Sequence, residues 1–101
     1  MRVSILDSAP GCGPARKTYL AARTSRALDP YARRLQGAEL SISMEGILHE
    51  ARLVLRVAGA PPVILASKGR RMVNVLANLF DAADNRLSAT FPAQRPRGEA
   101  V

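Results

Sequence analysis

The sharpest pattern of apolar and polar positions lies late in the chain. Met72, Val75, Leu76, Leu79, Phe80, Ala83 and Leu87 recur at steps of three and four residues, which predicts an amphipathic helix of about four turns. Upstream, the period changes from near four to two. In Ala38 to Met44, the residues Leu40, Ile42 and Met44 share one face and Glu39, Ser41 and Ser43 the other. In His49 to Val57, the residues Ala51, Leu53, Leu55 and Val57 oppose Arg52, Val54 and Arg56. Pro62 to Lys68 is a third strand, mostly apolar, stopping at Gly69. Such alternation marks a sheet packed on one face and wet on the other. The links at Gly46 and at Ala58 to Pro62 are short, so these strands form an antiparallel meander.

The first third of the chain carries a strand and a helix. Val3 to Leu6 is a short apolar strand, followed by a loop from Asp7 to Gly13. Pro14 sits where proline suits a helix's first turn. Leu20, Thr24, Ala27, Leu28 and Tyr31 then gather on one side of the helix. At Asp29-Pro30 the helix kinks, or restarts with Asp29 as N-cap and Pro30 as first residue; Gly37 is expected to end the helical stretch. The predicted order is β-α-β-β-β-α, with a right-handed crossover between the first two strands. Because the wet face carries Ser, Glu and Arg, both helices belong on the other face. The fold class is α+β, a two-layer sandwich with a four-stranded mixed sheet. Residues 1–91 form this one domain, and the proline-bearing segment 92–101 is read as a flexible tail.

Composition narrows the functions. Among 101 residues, 15 Lys and Arg face 8 Asp and Glu, a net charge of +7. No apolar run is long enough to span a membrane, and the start of the chain does not read as a signal peptide. Cys12 is the sole cysteine and His49 the sole histidine, which excludes an internal disulfide and argues against a protein-built zinc site. A cytoplasmic protein with no cofactor and no small-molecule substrate is expected. The strong positive charge points to a polyanionic partner. Only Lys17 and Lys68 are lysines; arginine suits bidentate phosphate contact and base stacking, although a GC-rich genome produces the same bias.

The cations cluster. Arg16, Arg23 and Arg26 fall within about 80° of one another on the first helix, Lys17 precedes them, and Arg33 and Arg34 follow. Arg34 joins the stripe if the helical path survives Pro30. Between Arg16 and Arg34, Asp29 is the one carboxylate. Lys68, Arg70 and Arg71 open the second helix, at the positive end of its dipole, where acidic residues are favoured; such local conflicts are commoner at functional sites. Arg86 adds a cation later in that helix. These ten residues are the candidate RNA contacts. Tyr19, Tyr31, Phe80 and Phe91 are scattered, so a base-stacking RNA-recognition sheet is not expected; contact with backbone charge and shape is. Catalysis finds little support. His49 and Glu50 are neighbours in a strand and point to opposite faces, and Cys12 has no partner. Met44 and Met72 read as core.

The run Gly11-Cys12-Gly13-Pro14-Ala15-Arg16-Lys17-Thr18 follows a strand and resembles a P-loop in spacing. Arg16 stands at the second glycine, where the backbone must wrap phosphate. A meander rather than a parallel sheet comes next. A nucleotide site is therefore not expected.

One resemblance emerges from the second half. Glu50-Ala51 opens a strand, a glycine turn follows, and Leu65-Ala66-Ser67-Lys68-Gly69 precedes Met72 and a helix bearing Val75, Leu76, Leu79, Phe80, Asp81, Ala83 and Leu87. This pattern resembles the short ribosome hibernation-promoting factors, the family that includes the ribosome-associated inhibitor. The resemblance implies a non-enzymatic protein that binds ribosomal RNA of the small subunit in the channel for mRNA and tRNA, blocks translation and favours dormant ribosomes. Arg23 and Arg26 lie on the first helix, where relatives carry basic residues. The chain departs from the pattern at Arg70 and Arg71, where relatives are acidic, and at Ala82 and Asn85, where they are basic. The long form's dimerisation domain is not expected here. Two other readings share the scaffold: a protein-interaction module using the sheet face of Ser41, Ser43, Arg52, Val54 and Arg56, and a general double-stranded RNA-binding domain, whose α-β-β-β-α core has a similar order.

Overall fold

In the computed structural model, which describes residues 1–8 and 13–91, the order is β1 (Arg2–Asp7), α1 (Pro14–Leu28), a 3-10 turn (Asp29–Tyr31), β2 (Leu35–Glu45), β3 (Leu48–Val57), β4 (Val63–Gly69) and α2 (Met72–Thr90). The strands lie side by side in chain order. β1 runs parallel to β2, and β2, β3 and β4 are antiparallel in sequence. This is the expected two-layer α+β sandwich with a mixed sheet. The tail 92–101 and the Gly11-Cys12 part of the loop lie outside the described residues.

The alternation seen in the sequence becomes the two faces of the sheet. Ala38, Leu40 and Ile42 of β2 and Ala51, Leu53 and Leu55 of β3 are buried. Cross-strand pairs stack them in rows, Leu40 beside Leu53 and Ile42 beside Ala51. Onto this layer α1 presents Leu20, Thr24 and Leu28, and α2 presents Val75, Leu76, Leu79, Phe80, Ala83 and Leu87. Met44 and Met72 pack at the margin of the core. Thr24 is fully buried, and its hydroxyl donates to the Leu20 carbonyl, so no polar hydrogen is stranded in the apolar layer.

The turns follow from glycine where the backbone requires it. Gly46 has φ of 61° at the first position of the two-residue link Gly46-Ile47, the conformation that lets a hairpin reverse with the twist of its strands. Gly59, at φ 73°, does the same for the longer link into β4.

Three expectations are corrected. The helical path does not survive Pro30: α1 ends at Leu28, and one 3-10 turn leads through Ala32 to Arg34 into β2. Gly37 does not end a helix; it lies inside β2, beside a register shift, and a Cβ there would stand 3.3 Å from the Arg2 carbonyl oxygen of β1. Its small size serves strand approach. Lys68 does not open α2 either; it and Gly69 complete β4, paired with Glu50 and His49.

Candidate nucleic-acid interface

α1 and α2 lie next to each other on the sheet. The Arg23 guanidinium sits over the Phe80 ring, 5.6 Å from its centroid. Eight residues on, Tyr31 meets Asp84 and Ser88, so contacts advance along both helices together and the helices run parallel. The Tyr31 hydroxyl donates to Asp84 Oδ1 at 2.6 Å. With its one hydrogen so used, it accepts from Ser88 Oγ at 2.7 Å. These bonds tie the carboxyl-terminal ends of the two helices. On the amino-terminal side of these bonds lies a cleft of about 370 Å³ lined by Tyr19, Ala22, Arg23, Arg26, Ala27 and Phe80.

The candidate cations take different places. Arg23 and Arg26 come together in the cleft. Arg16 does not join them: its Nε is 2.8 Å from Asp7 Oδ2, and the Asp7 side chain is fully buried at the inner face of β1. Lys17 is exposed in the first turn of α1, where Thr18 donates its hydroxyl to the Pro14 carbonyl. Arg33 and Arg34 are exposed in the turn before β2, off the α1 stripe, and the Arg34 guanidinium lies 5.4 Å from the Phe91 ring centroid. Arg70 and Arg71 are exposed at the start of α2, with Arg71 as N-cap residue. Arg86 stands six residues beyond Phe80, about 120° round the helix and away from the side facing α1. Lys68 lies on the open face of the sheet, alternating with Ile64 and Ala66, and donates to Glu45 at 3.0 Å. That bond, with the nearby Glu45 and Glu50 charges, holds its amine above the usual lysine range.

The two faces differ in how their charge is balanced. On the open sheet face, Arg2, Arg52, Arg56 and Lys68 are interspersed with Glu39, Glu45 and Glu50, and Arg56 pairs with Glu39 at 2.8 Å. The helical layer and its flanking turns carry Lys17, Arg23, Arg26, Arg33, Arg34, Arg70, Arg71 and Arg86 against Asp29, Asp81 and Asp84. Among the described residues, none of Lys17, Arg23, Arg26, Arg33, Arg70, Arg71 and Arg86 has a carboxylate at ion-pair distance. Neither helix has an acidic residue in its first turn, so both dipoles add to the positive field at that end.

Three participants escape a reading of the sequence alone. Asp7 neutralises Arg16, yet looks like any loop-opening aspartate before the fold is known. Tyr19, 54% exposed, and Phe80 are far apart in the chain and meet only across the cleft. Tyr19, Ala22, Arg23 and Arg26 do follow helical spacing, which was the available signal. Among the described residues no cluster of His, Cys, Asp and Glu could hold a metal ion, and no helix is long and apolar enough to cross a membrane.

No family model matches the sequence, and no curated protein sequence matches it. Solved structures do match in shape. A ribosomal subunit interface protein from Coxiella burnetii superposes with a TM-score of 0.75 at 11% identity, over 89% of this chain and 97% of that one. The N-terminal domain of Protein Y from Thermus thermophilus superposes with a TM-score of 0.68 at 14% identity, over 89% of this chain and 99% of that one. The chain thus shares, over nearly its whole described length, the fold of these two proteins.

Proposed function

We propose that this protein is a non-enzymatic, cytoplasmic ribosome-associated factor that binds ribosomal RNA of the small subunit through its helical layer, blocks translation and promotes ribosome dormancy. The observation that carries the reading is the asymmetry of charge. Among the described residues, seven cations of the helical side (Lys17, Arg23, Arg26, Arg33, Arg70, Arg71 and Arg86) have no carboxylate at ion-pair distance. On the sheet side, Arg2, Arg52, Arg56 and Lys68 are interspersed with three glutamates and two of them are paired. RNA backbone is the polyanion that such a surface accommodates, because each arginine can meet a phosphate in a bidentate geometry. The shared fold with a protein described as a ribosomal subunit interface protein supports the choice of RNA. Arg23 and Arg26 form the centre of the contact, with Lys17, Arg33, Arg34, Arg70 and Arg71 extending it. Arg16 supports the fold more than the contact, and Lys68 and Arg86 contribute long-range field.

The test is charge reversal on each face. Arg23→Glu with Arg26→Glu abolishes binding to small ribosomal subunits and inhibition of translation in a cell-free system, with the fold intact by circular dichroism. Arg52→Glu with Arg56→Glu, on the sheet face, leaves both activities within a few fold of the parent. A second reading, a protein-interaction module using the sheet face, draws on the exposure of Leu6 and Ile64, 67% and 61%. It predicts the opposite pattern of losses.

A further inference from the structure

The cleft between α1 and α2 has chemistry that phosphate contact does not use. It is lined by Ala22, Ala27 and the Phe80 and Tyr19 side chains, and Arg23 and Arg26 supply its cations. Tyr19 is a flat, half-exposed ring with no role in the core. Arg23 lies over Phe80 within cation-π range, its guanidinium carbon 5.6 Å from the ring centroid. No carboxylate lines the cleft. Its volume, about 370 Å³, falls near the lower end of small-ligand sites, roughly 300–1,000 Å³.

From these features we infer that the cleft is a stacking site for one unpaired nucleobase of RNA. The base lies against the Tyr19 ring, and its phosphate meets Arg26. Aromatic rings and arginine planes are the surfaces on which unstacked bases are held. A partner helix fits less well: the Tyr31, Asp84 and Ser88 hydrogen bonds bridge the helices at one end, which leaves a short cleft rather than a continuous groove. The inference rests on the RNA-binding reading above and adds a base contact to it.

The experiment titrates the full chain at low salt with a short unpaired adenosine oligonucleotide and with an abasic strand of equal length. The intrinsic fluorescence of tyrosine reports contact, since the chain has two tyrosines and no tryptophan and Tyr31 is buried. The adenosine strand is expected to bind on the order of tenfold more tightly than the abasic one, in line with stacking on one aromatic side chain, and to quench tyrosine emission. Tyr19→Ala, at an exposed position that folding tolerates, removes the preference. Tyr19→Phe keeps it while losing most of the quenching. Equal, tight binding of both strands overturns the base site and leaves the phosphate reading standing. A preference that survives in Tyr19→Ala, or displacement of the adenosine strand by an equal concentration of an acidic peptide, also overturns the base site, and binding of neither strand overturns both readings.

Discussion

Arg16 and Arg23 stand two turns apart on one side of α1 and do different work. Arg16 is turned to Asp7, whose side chain is fully buried at the end of β1. Removing one partner of such a pair costs more than the pair itself contributes, because the other charge stays desolvated. Arg16→Ala is therefore expected to lower stability by about 3 kcal/mol in urea unfolding, the low end for breaking a buried pair since the guanidinium is partly exposed. Binding to ribosomal subunits, measured well below the transition, should change less than threefold. Arg23 shields Phe80 instead and keeps its charge available. The sequence placed both residues on one stripe correctly, but the angular position of a side chain cannot say which neighbour it meets. That information lay in Asp7, which became legible only when β1 and α1 were joined in space.

At the scale of elements, periodicity carried most of the fold. β2, β3 and α2 were readable because each buries one face and wets the other, and the inward rows are those the alternation named. The short links fixed the meander. The misread stretch, Asp29 to Gly37, is where local signals competed: Pro30 permits a helix start, yet Leu35 and Ala38 have buried places in the sheet, and sheet burial wins over a short helical continuation that would bury little. Lys68, read both as the end of the strand and as an opener of the second helix, belongs to β4, since strand pairing with β3 extends past the last apolar residue of β4. The hairpin link offers a direct check on this level. Gly46→Ala forces a Cβ into the left-handed region at φ 61°, at a cost of about 1–2 kcal/mol, and should lower the urea midpoint without changing its slope. Since Gly46 carries no side chain and is not itself part of the helical layer, RNA binding should be unchanged.

The molecule as a whole separates charge by face. Its net charge of +7 was visible in the composition, but composition could not tell that the sheet side offsets most of its own cations with Glu39, Glu45 and Glu50 and so leaves most of the excess to the helical layer. Parallel packing of α1 and α2 concentrates that excess and opens the cleft between them. The same arrangement brings Tyr19 to Phe80, a juxtaposition with no counterpart in the linear order. A surface of this type should bind by releasing counterions from RNA, with a strength that depends on how many phosphates it covers.

Co-sedimentation of the protein with small ribosomal subunits across a salt series, with plain duplex RNA as competitor, tests ribosome binding through the helical layer. With six or more phosphates covered by Lys17, Arg23, Arg26, Arg33, Arg70 and Arg71, saturable one-to-one binding is expected. The logarithm of affinity should fall against the logarithm of salt with a slope on the order of −5. Excess duplex should not displace the protein. Absence of binding at low salt, a flat salt dependence, or full displacement by duplex RNA would contradict the account.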